Sequence, residues 1–318
     1  MAAPLDLLSI GRVSVDLYPQ QVGVTMTEVS TFVKSVGGTA TNVAVATARY
    51  GHAAALATRV GDDQFGRYIS HALQHTFGVD SQFVSTHPVL KTPLAFAELD
   101  PPQDPTIIFY REPAAPDMEI ELTPELAAAA AEATIFWVPA SRFAFEQSHA
   151  TVSALLEGRG RRTHTVLDLD WRPMFWDSEA EGHKVISPLL EHFTMVVGNR
   201  KECEVAVGTD DPDLAADRLL DRGVDTAIVK LGGEGVMVAT KSGVRERLAP
   251  YPVEVVCGLG AGDAFGGALC HGLLEEWDLP RTVRYGNAAG AIVAGRMVCA
   301  DAMPTAAEVD AFLAEREK

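Results

Sequence analysis

The chain has 318 residues, 47% hydrophobic and 22% charged, enough to bury a large core in one big α/β domain or two unequal ones. Its formal net charge of -17 argues against nucleic acid and anionic membranes as partners, and obliges any anionic ligand to find a local basic pocket. Cys203, Cys257, Cys270 and Cys299 show no paired spacing, so neither a disulfide framework nor a zinc site is expected from them. No run is apolar enough to span a bilayer and the N-terminus lacks a signal-peptide pattern, so the expected location is cytoplasmic.

Residues 5–10, closed by Gly11, read as a buried strand. Asp16 follows in a polar segment, 12–18, where an acid in a loop is ordinarily solvated. Residues 22–36 are β-branched enough for short strands. Gly37-Gly38-Thr39 then precedes a helix at 40–50, where Val43, Ala46, Thr47 and Tyr50 share a face and Gly51 suits the position just past the end. The two glycines either admit another group close to the backbone or form a plain tight turn. Asn42 lies in the first helical turn.

Residues 54–58 read as a strand, 59–63 as a turn and 65–77 as a helix. Residues 93–99 and 106–110 flank Pro101-Pro102 and predict a hairpin. Arg111 follows it, where a solvated arginine is the ordinary case. From 125 onward helices (125–133, 145–157, 181–192, 201–207, 214–222) alternate with strands (135–138, 165–170, 194–197, 226–230). That rhythm predicts a parallel sheet covered on both faces. Gly232-Gly233-Glu234-Gly235 turns into another hairpin partner at 236–239, and the chain is helical from 280.

The most informative stretch is Cys257-Gly258-Leu259-Gly260-Ala261-Gly262-Asp263. It follows an extended run at 252–256 and opens a helix whose Phe265, Ala268, Leu269, Gly272 and Leu273 share one face. A glycine-rich turn at a helix N-terminus gathers backbone N–H groups into an anion site. Asp263 reads either as an N-cap or as a base beside a bound phosphate. No Lys-Ser or Lys-Thr follows the glycines, so this is no P-loop, and the spacing is not the dinucleotide fingerprint.

Gly37-Gly38 with Asn42, the run Asn199-Arg200-Lys201-Glu202, and Gly260-Ala261-Gly262-Asp263 together resemble the three signatures of the PfkB, or ribokinase-like, carbohydrate kinases, over essentially the whole chain. Within that family, the stretches 12–19, 92–96, Phe109-Tyr110-Arg111 and 168–176 resemble the 5-dehydro-2-deoxygluconokinase branch. The related 2-keto-3-deoxygluconate kinases usually carry Asn where this chain has Asp170. The resemblance implies a three-layer parallel-sheet body (1–11, 37–92 and 118–318) with a small β-sheet lid (12–36 and 93–117). It implies ATP and Mg²⁺ as cofactors, a sugar or sugar acid as substrate, and a homodimer through the lid as a candidate assembly. Asp263 would be the base, and Gly260, Ala261 and Gly262 the anion hole. Asp16, Gly37, Gly38 and Asn42 would hold sugar hydroxyls. Arg111, just past strand 106–110, and Arg172, just past strand 165–170, stand where they could hold a sugar acid's carboxylate; the other reading is a surface ion pair, for Arg172 with Asp168 or Asp170. Asn199, Lys230, Gly232, Gly235 and Asn287 would bind the nucleotide, and Glu202 the Mg²⁺ through water. Many members carry Asp for an activating K⁺ where this chain has Cys257, so a carboxylate-bound K⁺ site is not expected. Other sugar kinase activities, and a silent sugar sensor, remain as alternatives.

Overall fold

The computed structural model describes residues 4–102 and 105–316. The first strand, β1 (Leu7–Ile10), is followed by β2 (Ser14–Pro19) and β3 (Phe32–Gly37), then α1 (Thr39–Arg49), β4 (Ala54–Gly61), α2 (Gln64–His71) and β5 (Val84–His87). The hairpin β6 (Leu94–Glu98) and β7 (Thr106–Tyr110) comes next, antiparallel as expected; part of its turn lies outside the described residues. The alternating stretch runs α3 (Pro124–Glu132), β8 (Ile135–Pro139), α4 (Glu146–Arg159), β9 (Thr165–Asp168), α5 (Glu179–Leu189), β10 (Met195–Asn199), α6 (Arg200–Val207), α7 (Pro212–Asp221) and β11 (Thr226–Lys230). It closes with β12 (Val236–Thr240), β13 (Arg245–Leu248), α8 (Ala261–Leu274), α9 (Leu279–Ala294) and α10 (Ala306–Arg316).

Nine strands form the main sheet in the order β13-β12-β11-β10-β9-β8-β1-β4-β5. In this sheet β5, β4, β1, β8, β9, β10 and β11 pair in parallel, and β12 and β13 add an antiparallel edge. Both faces are buried, which is why these strands are written as continuous apolar runs. Along β1 and β8, Leu8, Ile10, Phe136 and Val138 pack into one core with α3 to α7. Leu7, Ile135 and Trp137 face the opposite layer, with Val43 of α1 and Phe265 and Leu269 of α8. After β1 the chain builds outward to β4 and β5; after β8 it builds the other way. The crevice beyond the carboxyl ends of β1 and β8 is therefore a topological switch point, the usual place for a ligand in such sheets.

The second sheet has the order β3-β2-β6-β7. Its outer face carries Phe32 edge-on to Phe96 at 5.5 Å and Phe96 against Tyr110 at 5.3 Å. Its root is a buried carboxylate. Asp117 accepts from the Val13 backbone N–H at 3.1 Å and from Arg111 Nη2 at 2.5 Å, while Arg142 Nη1 donates to its carbonyl at 2.5 Å. Where the chain leaves β1 and where it returns after β7 are thereby held together.

Several local expectations are corrected. Arg59 to Gly61 is not a turn but the end of β4, because β5 pairs with it at Thr58, Arg59, Val60 and Gly61. The 252–256 run pairs with no strand; the N–H groups of Val256 and Cys257 both reach the Ala294 carbonyl. β9 stops at Asp168, and Asp170 takes a left-handed φ of 28°. Asp16 lies in a strand, β2, not in a loop.

α1 and α8, which carry Asn42 and Asp263, touch through small residues. A Cβ at Gly267 would stand 2.2 Å from Ala46 Cβ. Alanine is favoured over glycine in a helix by about 1 kcal/mol, but overpacking here costs about 1–3 kcal/mol. Gly267→Ala is expected to lower the thermal unfolding midpoint, measured by calorimetry, despite its better helix propensity. A raised midpoint would show that the two helices separate freely.

Candidate active site

The N-terminus of α8 has the form of an anion-binding element. Gly260 occupies the N-cap at φ 81°, so Asp263 is the third helical residue and not the cap. Helix geometry leaves the N–H groups of Ala261, Gly262 and Asp263 without intrahelical partners, and no described side chain caps this end. Lys230, at the end of β11, places its Nζ 3.2 Å from where a Gly262 Cβ would stand. Donors, helix dipole and a fixed cation therefore converge on one point.

Asp263 accepts from Asn42 Nδ2 at 2.7 Å. Burial raises its pKa to about 6, against the opposing pull of that hydrogen bond and of Arg172. The Asn42 Oδ1 is buried without a partner among the described residues, leaving an acceptor for a substrate hydroxyl. Asp16 shares the cavity with Asp263, with Ser14 Oγ 2.6 Å and Tyr18 OH 3.3 Å away. Burial raises its pKa to about 6 as well, outweighing those two bonds and the nearby Arg12 charge.

The two glycines before α1 have distinct tasks. A Cβ on Gly37 would fall 1.8 Å from Asp16 Oδ2, so Gly37 makes room for that carboxylate and stands behind it. Gly38, at φ 107°, lines the cavity and passes 2.3 Å (Cβ position) from the Arg12 carbonyl.

The two expected substrate arginines separate. Arg172 lines the cavity with Asp263, a third of its side chain exposed, and its Nη2 meets Asp170 Oδ1 at 2.9 Å. Arg111 does not line it; burial and the bond to Asp117 commit it to the root of the second sheet, beside Phe145 and Phe175. In its place stands Arg12, which sequence reasoning missed. Arg12 Nη2 donates to both Asp170 oxygens, at 3.2 and 2.9 Å, and to Thr39 Oγ1 at 3.1 Å, with Phe109 and Phe175 over its guanidinium. Asp170 also accepts from Thr39 at 3.0 Å and Ser141 at 2.7 Å. Burial opposes its charge, but Arg12 and Arg172 outweigh it and hold the carboxyl well below the usual range. The one available signal for Arg12 was its place just past the carboxyl end of a central strand.

At the start of α6, Asn199 and Glu202 form a reciprocal cap. Asn199 Oδ1 accepts from Glu202 N at 2.9 Å and Glu202 Oε2 from Asn199 N at 2.6 Å. Asp168, also missed from the sequence, is buried and is pushed up to about 8 by burial, with Lys230 opposing and Glu202 adding to the rise. Two buried acids beside a lysine suit a hard divalent cation with its waters. Gly232 takes φ 58° in open space, and Gly235 takes φ 94° with its Cβ position 2.0 Å from the Leu248 carbonyl. Gly235 is thus required by the close approach of β13. Asn287, on α9, donates to the Ala249 carbonyl at 2.9 Å, away from the Asp263 cavity.

The model of the pfkB family carbohydrate kinases matches residues 5–306. The 5-dehydro-2-deoxygluconokinase of Geobacillus kaustophilus is 32% identical over 316 residues, 98% of this chain and 94% of that protein. A PfkB protein from Polaromonas sp. JS666 superposes with a TM-score of 0.83 at 25% identity, covering 96% of this chain and 99% of that one. A putative ribokinase II from E. coli, solved in complex with ATP and Mg²⁺, gives 0.86 at 22% identity, covering 98% and 99%. A nine-stranded α/β body, a separate four-stranded sheet and a family match over nearly its whole length place this chain in the pfkB family of carbohydrate kinases.

Proposed function

We propose that the chain is an ATP-dependent sugar-acid kinase that phosphorylates the terminal hydroxyl of 5-dehydro-2-deoxygluconate, in inositol catabolism. The observation that carries this reading is one cavity holding both a base at an uncapped helix N-terminus, Asp263, and an arginine with a third of its side chain exposed, Arg172. The relatives named for that substrate support it. Asp16 and Asn42 hold sugar hydroxyls. The carboxylate lies against Arg172, with Arg12 behind it, since a planar guanidinium can grip a carboxylate through two parallel bonds.

Asp263 takes the proton of the attacking hydroxyl, whose oxygen bonds to the terminal phosphorus as the bond to the ADP oxygen breaks. The N–H groups of Ala261 and Gly262 and the Lys230 ammonium stabilise the charge on the transferring group. Asn199, Gly232, Gly235 and Asn287 border the path for the nucleotide. Mg²⁺, held through water by Glu202 and Asp168, would neutralise phosphate charge. The second sheet contributes Asp16, Ala95, Ile107 and Phe109 to the cavity, which supports a lid that excludes water as an acceptor. Its exposed aromatic face supports a homodimer formed through that lid.

A coupled ADP-release assay over neutral sugars and sugar acids tests the reading; no turnover on any of them would favour a silent sensor. Asp263→Asn is expected to lower turnover by ~10²–10⁴-fold with ATP binding retained. Because a raised pKa keeps the base protonated below about 6, wild-type kcat/KM should fall as pH drops through about 6, not through the ordinary carboxylate range. Near-normal turnover of the variant would remove the role.

Arg172→Ala and Arg12→Lys are each expected to raise KM for a sugar acid by roughly ten- to a hundred-fold, as a lost charge-assisted bond costs about 1.5–3 kcal/mol. KM for a neutral sugar should change far less. Arg111→Ala, by contrast, should cost stability, because it removes the cation bonded to the buried Asp117 carboxylate. Equal losses on acidic and neutral substrates would move the reading to a neutral-sugar kinase.

Cys257 is fully buried and a thiol is a poor ligand for a hard alkali cation. Initial rates are expected to be similar in Na⁺ and K⁺ buffers; steep activation by K⁺ alone would mean that the cation is held by other atoms.

A further inference from the structure

The far end of α8 carries a second constellation that the phosphoryl-transfer site does not use. His271 lies in its last turn, and Glu275 follows four residues later, so both stand on one face of the helix. His52, in the connection from α1 to β4, points its Nε2 at His271 Nδ1 across 2.7 Å. Nitrogen atoms of both rings and a Glu275 carboxylate oxygen lie within 4.8 Å of one another. The surroundings fix the rings. His271 is buried and stacks on Tyr50 at 4.9 Å, with Trp277 edge-on at 5.0 Å. Behind His52, the Asp6 Oδ2 stands 4.0 Å from Nδ1 and is itself anchored by the Ala53 N–H at 2.8 Å. At 4.0 Å this carboxylate makes no hydrogen bond to the ring, but it lies on the side from which a carboxylate orients a metal-bound histidine.

We propose that His52, His271 and Glu275 form a zinc-class divalent cation site that clamps the end of α8 to the α1–β4 connection. Two imidazoles and one carboxylate are a zinc donor set, and the partial exposure of His52 and Glu275 leaves room for a water as fourth ligand. Two bonds of ~2.0–2.1 Å at a tetrahedral angle put ligand nitrogens about 3.3 Å apart. The pair at 2.7 Å reaches that by a small tilt of the half-buried His52 ring. This site is independent of the reading of the Asp263 cavity.

The test is titration of the reduced, full-length protein with Zn²⁺ by calorimetry, with Co²⁺ as a spectroscopic stand-in and thermal unfolding as a second readout. One equivalent should bind and raise the unfolding midpoint. His52→Ala, at a partly exposed position, and Glu275→Gln, at an exposed one, should each weaken Zn²⁺ binding at least ten-fold and abolish the thermal shift, while ADP release in Zn²⁺-free buffer containing Mg²⁺ stays unchanged. The Co²⁺ spectrum should show tetrahedral bands without a thiolate charge-transfer band. His71 and His75, an adjacent ring pair at 4.7 Å on another part of the surface, are the control. Loss of binding in His71→Ala with retention in His52→Ala would overturn the proposal. So would a thiolate band, or no Zn²⁺ uptake by the wild type.

Discussion

The buried charge of Asp170 is the constraint on which the site is assembled. One carboxylate, just past the end of β9, accepts from Arg12 after β1, Thr39 at the start of α1, Ser141 after β8 and Arg172 two residues on. These segments come from both directions in which the sheet is built, so their meeting point is the switch point itself. A buried ion pair gives little net stability, since desolvation offsets most of the attraction, but removing one partner is costly. Its value here is geometric. Each of the four segments is held to one position, because any other would strand a charge. The left-handed backbone at Asp170 is tolerated for the same reason.

Asp117 plays the matching part for the second sheet. It ties the Val13 backbone, Arg111 and Arg142 where the two connections between the sheets run side by side. Between these two acids, Arg12 and Val13 are adjacent in sequence yet belong to different networks. The connection from β1 to the second sheet is therefore fixed at two successive residues, one to each network. Ile107 and Phe109 of the second sheet give the cavity apolar lining, and Phe109 lies 5.8 Å from Phe175 of the body.

Much of this was legible in the sequence, and the reasons are local. Parallel strands with two buried faces are short apolar runs, and residues such as Leu7, Leu8 and Ile10 can be nowhere else. Gly260 to Asp263 was legible because a helix start with glycines has one geometry. What escaped needed partners far along the chain. Arg12 and Asp170 are 158 residues apart, and nothing near Arg12 marks it as buried. Gly61 looked like a turn residue because its pairing with His87 in β5 is invisible locally. β13, with Arg245, Glu246 and Arg247 exposed, has no apolar signal and exists only because β12 offers it an edge. Arg111 was misplaced in the opposite sense. Its neighbours in sequence suggested a free cation, while Asp117, six residues on, folds back to claim it.

The placement of cations also reconciles an acidic chain with anionic ligands. Many surface lysines and arginines are already engaged. Arg200 meets Glu234, Lys201 meets Glu179 and Glu204, Arg161 and Lys241 meet Asp225, and Arg245 and Arg247 meet Asp213. Such exposed pairs contribute about 0–1 kcal/mol each and present no net field to an incoming anion. Arg12, Arg172 and Lys230 differ in being held by buried acids, Asp170 and Asp168, inside a crevice where water screens poorly. Removing those acids would free the cations to reorient; keeping them fixes where each positive charge points. Burial in the same crevice, more than the neighbouring carboxylates, raises Asp16 and Asp263 to about 6 each, so both can take up a proton near neutral pH. Selectivity for an anion thus rests on a few oriented cations, and the sign of the whole molecule's charge acts against the approach but not against the fit.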